Sequence, residues 1–182
     1  MKKLFILSGF CLLVAGCSIF PKPQTPQVNY FSLGVPDEQM VKQRLVKVQM
    51  VDALTGYTTA MCFKTDAGKV EIDQFNRWIT SPATQIQRYL TVAMATQMSA
   101  SGRQTALIMT TKLLTFDCNL NHKTANLTLL VTVKEHDKVK YKQLFTEKVD
   151  VTGNTATAYA SAMSMAMNKI AVEIATNINS LK

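Results

Sequence analysis

Three consecutive segments in the second half of the chain constrain the fold most, because each has the residue pattern of a β-strand. Leu107–Leu120 is apolar and rich in threonine, whereas Ala125–Glu135 and Tyr141–Val151 alternate between apolar and polar residues. Turn-like sequences at 119–123 and 135–138 separate the segments. One face of each alternating segment is apolar: Leu127, Leu129, Val131 and Val133 in the first, and Tyr141, Phe145, Val149 and Val151 in the second. The pattern predicts an antiparallel meander.

Two segments have helical periodicity. Ser81-Pro82 is typical of a helix start, with a capping hydroxyl and proline at the first helical position. Its apolar stripe extends towards Ser101-Gly102 and contains Ile86, Tyr89, Leu90, Ala93, Met94 and Met98. The second helix is predicted from about Ala156 to Asn179. Its stripe, Tyr159, Met163, Ala166, Ile170, Ile174 and Leu181, is widened by Ala162, Met165 and Ala171. Such a wide stripe indicates either deep burial or a partner surface.

The remaining strands are predicted before the first helix. Leu45–Val51 alternates, with Val46, Val48 and Met50 on one face and Lys47 and Gln49 on the other. Tyr57–Lys64 and Lys69–Ile72 resemble a hairpin around Asp66-Ala67-Gly68. The order of elements predicts an α+β two-layer sandwich, a largely antiparallel sheet of about five strands with two helices packed on one face. We expect one periplasmic domain over residues 29–182.

The first residues predict export and lipid attachment. Lys2 and Lys3 precede an apolar run that is too short to span a membrane and that ends in Leu13-Val14-Ala15-Gly16-Cys17. This ending resembles the bacterial lipobox, in which small residues precede a cysteine that is acylated on sulfur and then on its new amine. Residues 1–16 are thus predicted to be a lipoprotein signal peptide and Cys17 the lipidation site. The alternative is a plain signal peptide or an anchor helix that contains Cys17.

A proline-rich tether is predicted to follow the lipidated cysteine, over residues 17–28. Pro21, Pro23 and Pro26 favour an extended segment that holds the domain off the bilayer. Ser18 and Ile19 follow the cysteine, a pattern that favours the outer membrane. The mature chain has 18 basic and 12 acidic residues. The excess of basic residues could attract the domain to anionic headgroups or to an acidic partner, or it could simply give the domain a soluble basic surface.

Two cysteines remain after the signal and the anchor, Cys62 and Cys118. Because an even pair in an oxidising compartment commonly forms a disulfide, we predict a bond between them. The alternative is two buried free thiols.

Composition disfavours an enzyme. Seven glycines contain no phosphate-binding loop, and two histidines, His122 and His136, lie in predicted turns. Glu71 and Asp73 are the acidic residues that come closest to the spacing of a catalytic carboxylate pair, but exposed acidic side chains are usually only solvated. We expect neither a cofactor nor a metal, and the chain lacks the basic and aromatic stripe of a nucleic-acid-binding protein.

Two short motifs resemble those of PqiC-type lipoproteins, also called ABC-type transport auxiliary lipoproteins. Tyr30-Phe31-Ser32-Leu33 is similar to the start of their domain, and Glu71 to Trp78, followed by Pro82, is similar to their second motif. The resemblance covers residues 29–181. The hairpin sequence Ala60–Thr65 departs from the pattern expected of the family.

The resemblance implies a non-enzymatic outer-membrane subunit that works beside MCE-domain proteins and their permeases in lipid transport between membranes. It implies that Arg77 and Trp78 could bind a partner, although Trp78 could instead fill the junction between sheet and helix while Arg77 pairs with an acid such as Asp73. Copies of the chain could form a homo-oligomer. The alternative function is a structural or assembly lipoprotein, pilotin-like or secretion-associated, with a similar fold.

Overall fold

The long strands of the C-terminal half organise the sheet. The computed structural model describes residues 26–42, 44–53, 57–95 and 106–181. The strands are β1 (Asn29–Phe31), β2 (Val46–Val48), β3 (Asp52–Ala53), β4 (Ala60–Lys64), β5 (Val70–Trp78), β6 (Leu107–Asn119), β7 (Thr124–Glu135) and β8 (Lys138–Asp150). The helices are α1 (Pro82–Ala93), between β5 and β6, and α2 (Ala156–Ser180), after β8.

The predicted meander of β6, β7 and β8 is confirmed. Antiparallel pairs run from Leu107 opposite Glu135 to Asn119 opposite Thr124, and β8 continues the pattern along β7. The predicted apolar face of β7 is fully buried. Since side chains on paired strands alternate together, one face of the meander supplies the core and the other carries threonines, asparagines and lysines.

The described part of the chain forms a sheet of eight strands, so the expected count of about five was too low. The outer edge of β6 pairs in parallel with three short strands, β2, β3 and β4. β4 also pairs with β5, and β1 pairs in parallel with β5. Strands of two or three residues are too short for a period of two to be recognised. The sheet is mixed, although its longest pairs are antiparallel.

The strand predicted over Leu45–Val51 is interrupted. Val46 and Val48 pack against the core as expected, but Met50 is 81% exposed and Val51 is buried. Between β2 and β3 the chain has one residue more than the facing part of β6. The extra residue reverses the alternation, so Val51 faces inwards in place of Met50.

Both helices begin where the sequence predicts. The Ser81 hydroxyl accepts a hydrogen bond from the Thr84 amide (3.3 Å), and the Thr155 hydroxyl accepts one from Ala158 (3.1 Å). Both bonds satisfy amides that a helix start leaves without partners. The described part of α1 ends at Ala93, and the predicted continuation to Met98 and Gly102 lies outside the described residues. No helix in the described ranges is long and apolar enough to cross a membrane.

Helix α2 uses its wide apolar surface inside the molecule. It packs on β7 and β8 and also against α1. The Ser164 hydroxyl donates to the Leu33 carbonyl (2.6 Å), and Asn168 donates to the Tyr89 hydroxyl (3.1 Å). Ala162 and Ala171 are buried, whereas Met165 is exposed. Most of the wide apolar stripe is therefore explained by deep burial inside the domain. The helix surface gives no support for contact with a second copy of the chain.

Candidate functional site

Arg77 and Trp78 point to opposite faces of the sheet. Trp78 is 1% exposed, and its ring meets Phe116 and Tyr159 edge-on at centroid distances of 5.1 and 5.7 Å. Arg77 pairs in register with Ala60 and Tyr30 and is exposed. Trp78 therefore fills the junction between sheet and helices, and Arg77 is the member of the pair that a partner can reach.

The structure does not contain the predicted disulfide, since Cys62 and Cys118 are both free thiols. The register explains their separation: Phe63, not Cys62, stands opposite Cys118. Because successive side chains alternate between faces, Cys118 points into the core and Cys62 points to the other face. Burial, with a smaller contribution from Asp117, raises the pKa of Cys118 to about 11 and also raises the pKa of Cys62.

A pocket of about 260 Å³ lies at the N-terminal end of α2. Its walls include the apolar groups of Phe63, Cys118, Val151 and Tyr159, and its rim carries polar side chains. The rim residues are Asp73, Asn76, Lys123, Asn154 and Thr155. Strands β4 and β5, the end of β6 with the turn after it, and the start of α2 thus supply one concave, amphipathic site. Such a site can accept one apolar group with polar atoms at its outer end.

Tyr159, which lines the pocket, has a buried hydroxyl without a hydrogen-bond partner in the described chain. Tyr159 is 1% exposed, and neither its hydroxyl nor the indole nitrogen of Trp78 is hydrogen-bonded. Burial raises the pKa of Tyr159 well above its usual value. An unsatisfied buried polar atom is costly, so both groups lower the stability of the core next to the pocket.

Asp73 has a structural role in β5. Its carboxylate accepts hydrogen bonds from the amides of Phe75 (2.8 Å) and Asn76 (2.9 Å) and from the Asn76 side chain (2.8 Å). Burial opposes ionisation, but these bonds outweigh it and lower the pKa of Asp73. The bonds stabilise the irregular part of β5, where the register with β4 shifts. Glu71 instead pairs with Lys69 at 2.9 Å on the surface.

The two histidines lie in turns, as predicted. The His122 ring nitrogen is 3.4 Å from Asp66, whose carboxylate also accepts bonds from Asn119 and Asn121 (both 2.8 Å). These contacts connect the turn after β4 to the turn after β6. His136 adopts a positive φ of 54° in the turn before β8. Within the ranges that the structure describes, no three His, Cys, Asp or Glu side chains are arranged to hold a metal ion.

The sequence did not indicate the pocket. The walls of the pocket come from four separate parts of the chain, which no local pattern connects. The only local signals were the burial pattern of α2 and the polar residues at the start of that helix. The lipidation site, Cys17, and most of the tether lie outside the described residues, and Pro26–Val28 is the part of the tether that is described.

Comparisons with known proteins give a family and a fold. Residues 36–175 match the family described as ABC-type transport auxiliary lipoprotein component. No curated protein matches the chain. The crystal structure of an uncharacterized protein is similar, with a TM-score of 0.70, 11% identity, and coverage of 84% of this chain and 99% of the other. Protein XCC0632 from Xanthomonas campestris, of family DUF330, gives a TM-score of 0.66 and 14% identity over 86% and 100% of the two chains.

Proposed function

Because the chain belongs to the ABC-type transport auxiliary lipoprotein component family, we propose that it is a non-enzymatic subunit of an MCE/ABC-type system that transports lipids between membranes. The match over residues 36–175 carries the proposal, because it covers β2 to most of α2. The finer assignment to the PqiC-type lipoproteins rests on the two short motifs at Tyr30–Leu33 and Glu71–Trp78.

The proposed location is the periplasmic face of the outer membrane. Residues 1–16 are removed, Cys17 carries the acyl chains, and residues 17–28 connect it to a single domain over 29–182. Three acyl chains exceed the two signals that stable anchoring requires. The order of these segments along the chain supports this arrangement, because the tether leads directly into β1, the first strand of the fold.

The proposed role is docking at the outer-membrane end of the apparatus, with an MCE-domain protein as partner. Arg77 is the proposed contact residue, because it is exposed on β5 beside the exposed Tyr30. Trp78 is proposed to act only through the fold. A homo-oligomer remains compatible with such a role, but the buried surface of α2 does not support it.

Co-purification tests the proposal. The full-length tagged lipoprotein is extracted from membranes in mild detergent after brief cross-linking, and the bound proteins are identified by mass spectrometry. We expect the MCE-domain protein and its permease to be enriched over a tagged, unrelated outer-membrane lipoprotein. Pilus or secretion subunits in their place would support an assembly lipoprotein and contradict the transport role.

A matched pair of variants tests the contact. Arg77→Glu should reduce recovery of the MCE-domain protein, because the substitution reverses the charge at the proposed interface. Arg88→Glu makes the same change at an exposed position of α1, on the opposite side of the sheet, and should leave recovery unchanged. Equal recovery with both variants would remove Arg77 from the interface without affecting the transport role.

A further inference from the structure

The sheet face that points away from the helices is strongly basic. No described element covers this face, which we call the outer face. By strand register it carries seven basic and three acidic side chains, a net charge of +4. The basic residues are Lys47, Lys64, Arg77, Lys112, Lys134, Lys142 and Lys148, and the acidic ones are Asp52, Asp117 and Asp150.

Among the described residues, the excess positive charge is concentrated on the outer face. All other described parts of the chain together carry eight basic and nine acidic side chains, a net charge of −1. Within the described residues, the net positive charge is therefore not spread evenly over the surface. It belongs to one face of one sheet, and a surface with this polarity orients itself against an anionic partner.

Exposed apolar side chains lie between the lysines. Across the meander, Lys112 is beside Leu130, which is beside the 55% exposed Leu144. At the other end of the sheet, Ile72 and Tyr30 are 63% and 65% exposed and, by register, point to the same face. Threonines occupy most of the remaining positions. The outer face is thus both cationic and partly apolar.

These residue types suit a lipid surface better than a protein surface. Lysine is depleted at protein–protein interfaces, where aromatic and arginine anchors fill pockets. The outer face contains six lysines and one arginine, and the lysine side chains are long enough to reach phosphates while their stems cover apolar groups. Aromatic and aliphatic side chains such as Tyr30 and Ile72 are stable at headgroup level.

The tether brings this face within reach of the bilayer. β1 belongs to the same sheet, and the twelve residues from Cys17 to Asn29 span about 40 Å at most if they are extended. A domain held this close meets the membrane at high effective concentration, so even weak surface binding is populated.

We propose that the outer face binds the surface of a bilayer that contains anionic phospholipid. The lysines contact headgroup phosphates, and the exposed apolar side chains enter the headgroup layer. The helices then point away from the membrane. This binding is separate from the acyl anchor. Because Arg77 and Tyr30 belong to the same face, the proposed partner and the bilayer compete for that end of the face.

Vesicle sedimentation tests the proposal. The chain from Ser18 onwards, without acyl chains, retains every described element of the fold, because these all lie between residues 26 and 181. We expect it to sediment with vesicles of phosphatidylethanolamine and phosphatidylglycerol at low salt, and to be released by high salt. It should remain in solution with vesicles of phosphatidylcholine.

Neutralising lysines on the outer face should weaken binding. The triple change Lys112→Gln, Lys134→Gln and Lys142→Gln is expected to reduce affinity for anionic vesicles by about tenfold to a hundredfold. The control, Lys42→Gln, Arg88→Gln and Lys138→Gln, removes the same charge from exposed positions outside this face and should retain most of the affinity. Circular dichroism and thermal melts establish that both triple variants are folded.

Two outcomes would overturn the proposal. The first is no binding of the wild-type chain to anionic vesicles at low salt, or equal loss in both triple variants. The second combines two results: the wild-type chain does not bind vesicles, and only the outer-face variant loses co-purification with the MCE-domain protein. These results together would identify the face as a protein interface.

Discussion

Arg77 and Trp78 are adjacent on β5, yet their side chains have different environments. Trp78 packs against two aromatic rings in the core, whereas Arg77 is in solvent. We expect Trp78→Ala to lower the free energy of unfolding by about 3–5 kcal/mol, because a large buried side chain is replaced by a cavity. Arg77→Ala should change it by less than about 0.5 kcal/mol. Urea denaturation followed by circular dichroism measures both, and comparable losses would contradict the assignment.

Asp73 should make the stability of the domain depend on acid pH. Its three hydrogen bonds favour the ionised carboxylate and lower the pKa. The stabilisation is therefore fully present above the unfolded-state pKa of about 3.9 and is lost as pH falls through the lower, folded-state pKa. At neutral pH, Asp73→Ala should cost about 1–2 kcal/mol.

The control for Asp73 is two residues away. Glu71 forms only an exposed pair with Lys69, so Glu71→Ala should cost little at any pH. Urea titrations at neutral pH and near pH 3 should show that the difference between wild type and Asp73→Ala shrinks in acid. A difference that is independent of pH would mean that the carboxylate charge is not involved.

At the level of the elements, register decides the state of the two cysteines. A shift of one residue between β4 and β6 would be needed to place Cys62 opposite Cys118. We therefore favour the alternative of two free thiols and expect both to be alkylated in denatured, unreduced protein. In the native state they should react slowly at neutral pH, because their pKa values are raised. A peptide that links Cys62 to Cys118 in non-reducing maps would contradict this expectation.

Small residues on α2 allow the sheet and α1 to approach the helix closely. Ala166 is fully buried, whereas Ser161, on the same helix, is exposed. Ala166→Leu should destabilise the domain by about 1–3 kcal/mol, because the added atoms have no space in the packed core. Ser161→Leu adds a similar volume at the surface and should change stability much less. Thermal melts of the two variants decide the matter, and equal melting temperatures would be incompatible with the packing described.

Local patterns were sufficient for some elements and insufficient for others. The meander and both helix starts follow from alternation and capping residues, so the sequence predicted them correctly. β1, β2 and β3 have two or three residues each and exist because β5 and β6 bind them. The pocket and the outer face depend on the same non-local pairing. Predicting the disulfide required a register that no local pattern contains.

At the scale of the whole molecule, the sequence predicts attachment to a membrane through Cys17. Cys17→Ser should leave the precursor unprocessed and without acyl mass, because the thiol is the acceptor for the lipid. Cys11→Ser alters the one cysteine inside the predicted signal peptide and should be processed normally. Intact-mass spectrometry of the membrane fraction distinguishes the two. Wild-type protein with a free Cys17 thiol would exclude the lipid anchor.

The three parallel neighbours of β6 have a consequence for the order in which the domain folds. Val46 pairs with Leu107 and Phe63 with Cys118, so the N-terminal half needs a strand that is synthesised much later. Contacts between residues so distant in sequence form slowly, whereas the β7–β8 hairpin closes locally. In pulsed hydrogen exchange during refolding, amides of β7 and β8 should be protected before those of β2 and β4. In the export that the predicted signal peptide implies, the first strands would therefore cross the inner membrane unpaired, and their edges would stay open to aggregation until β6 arrives.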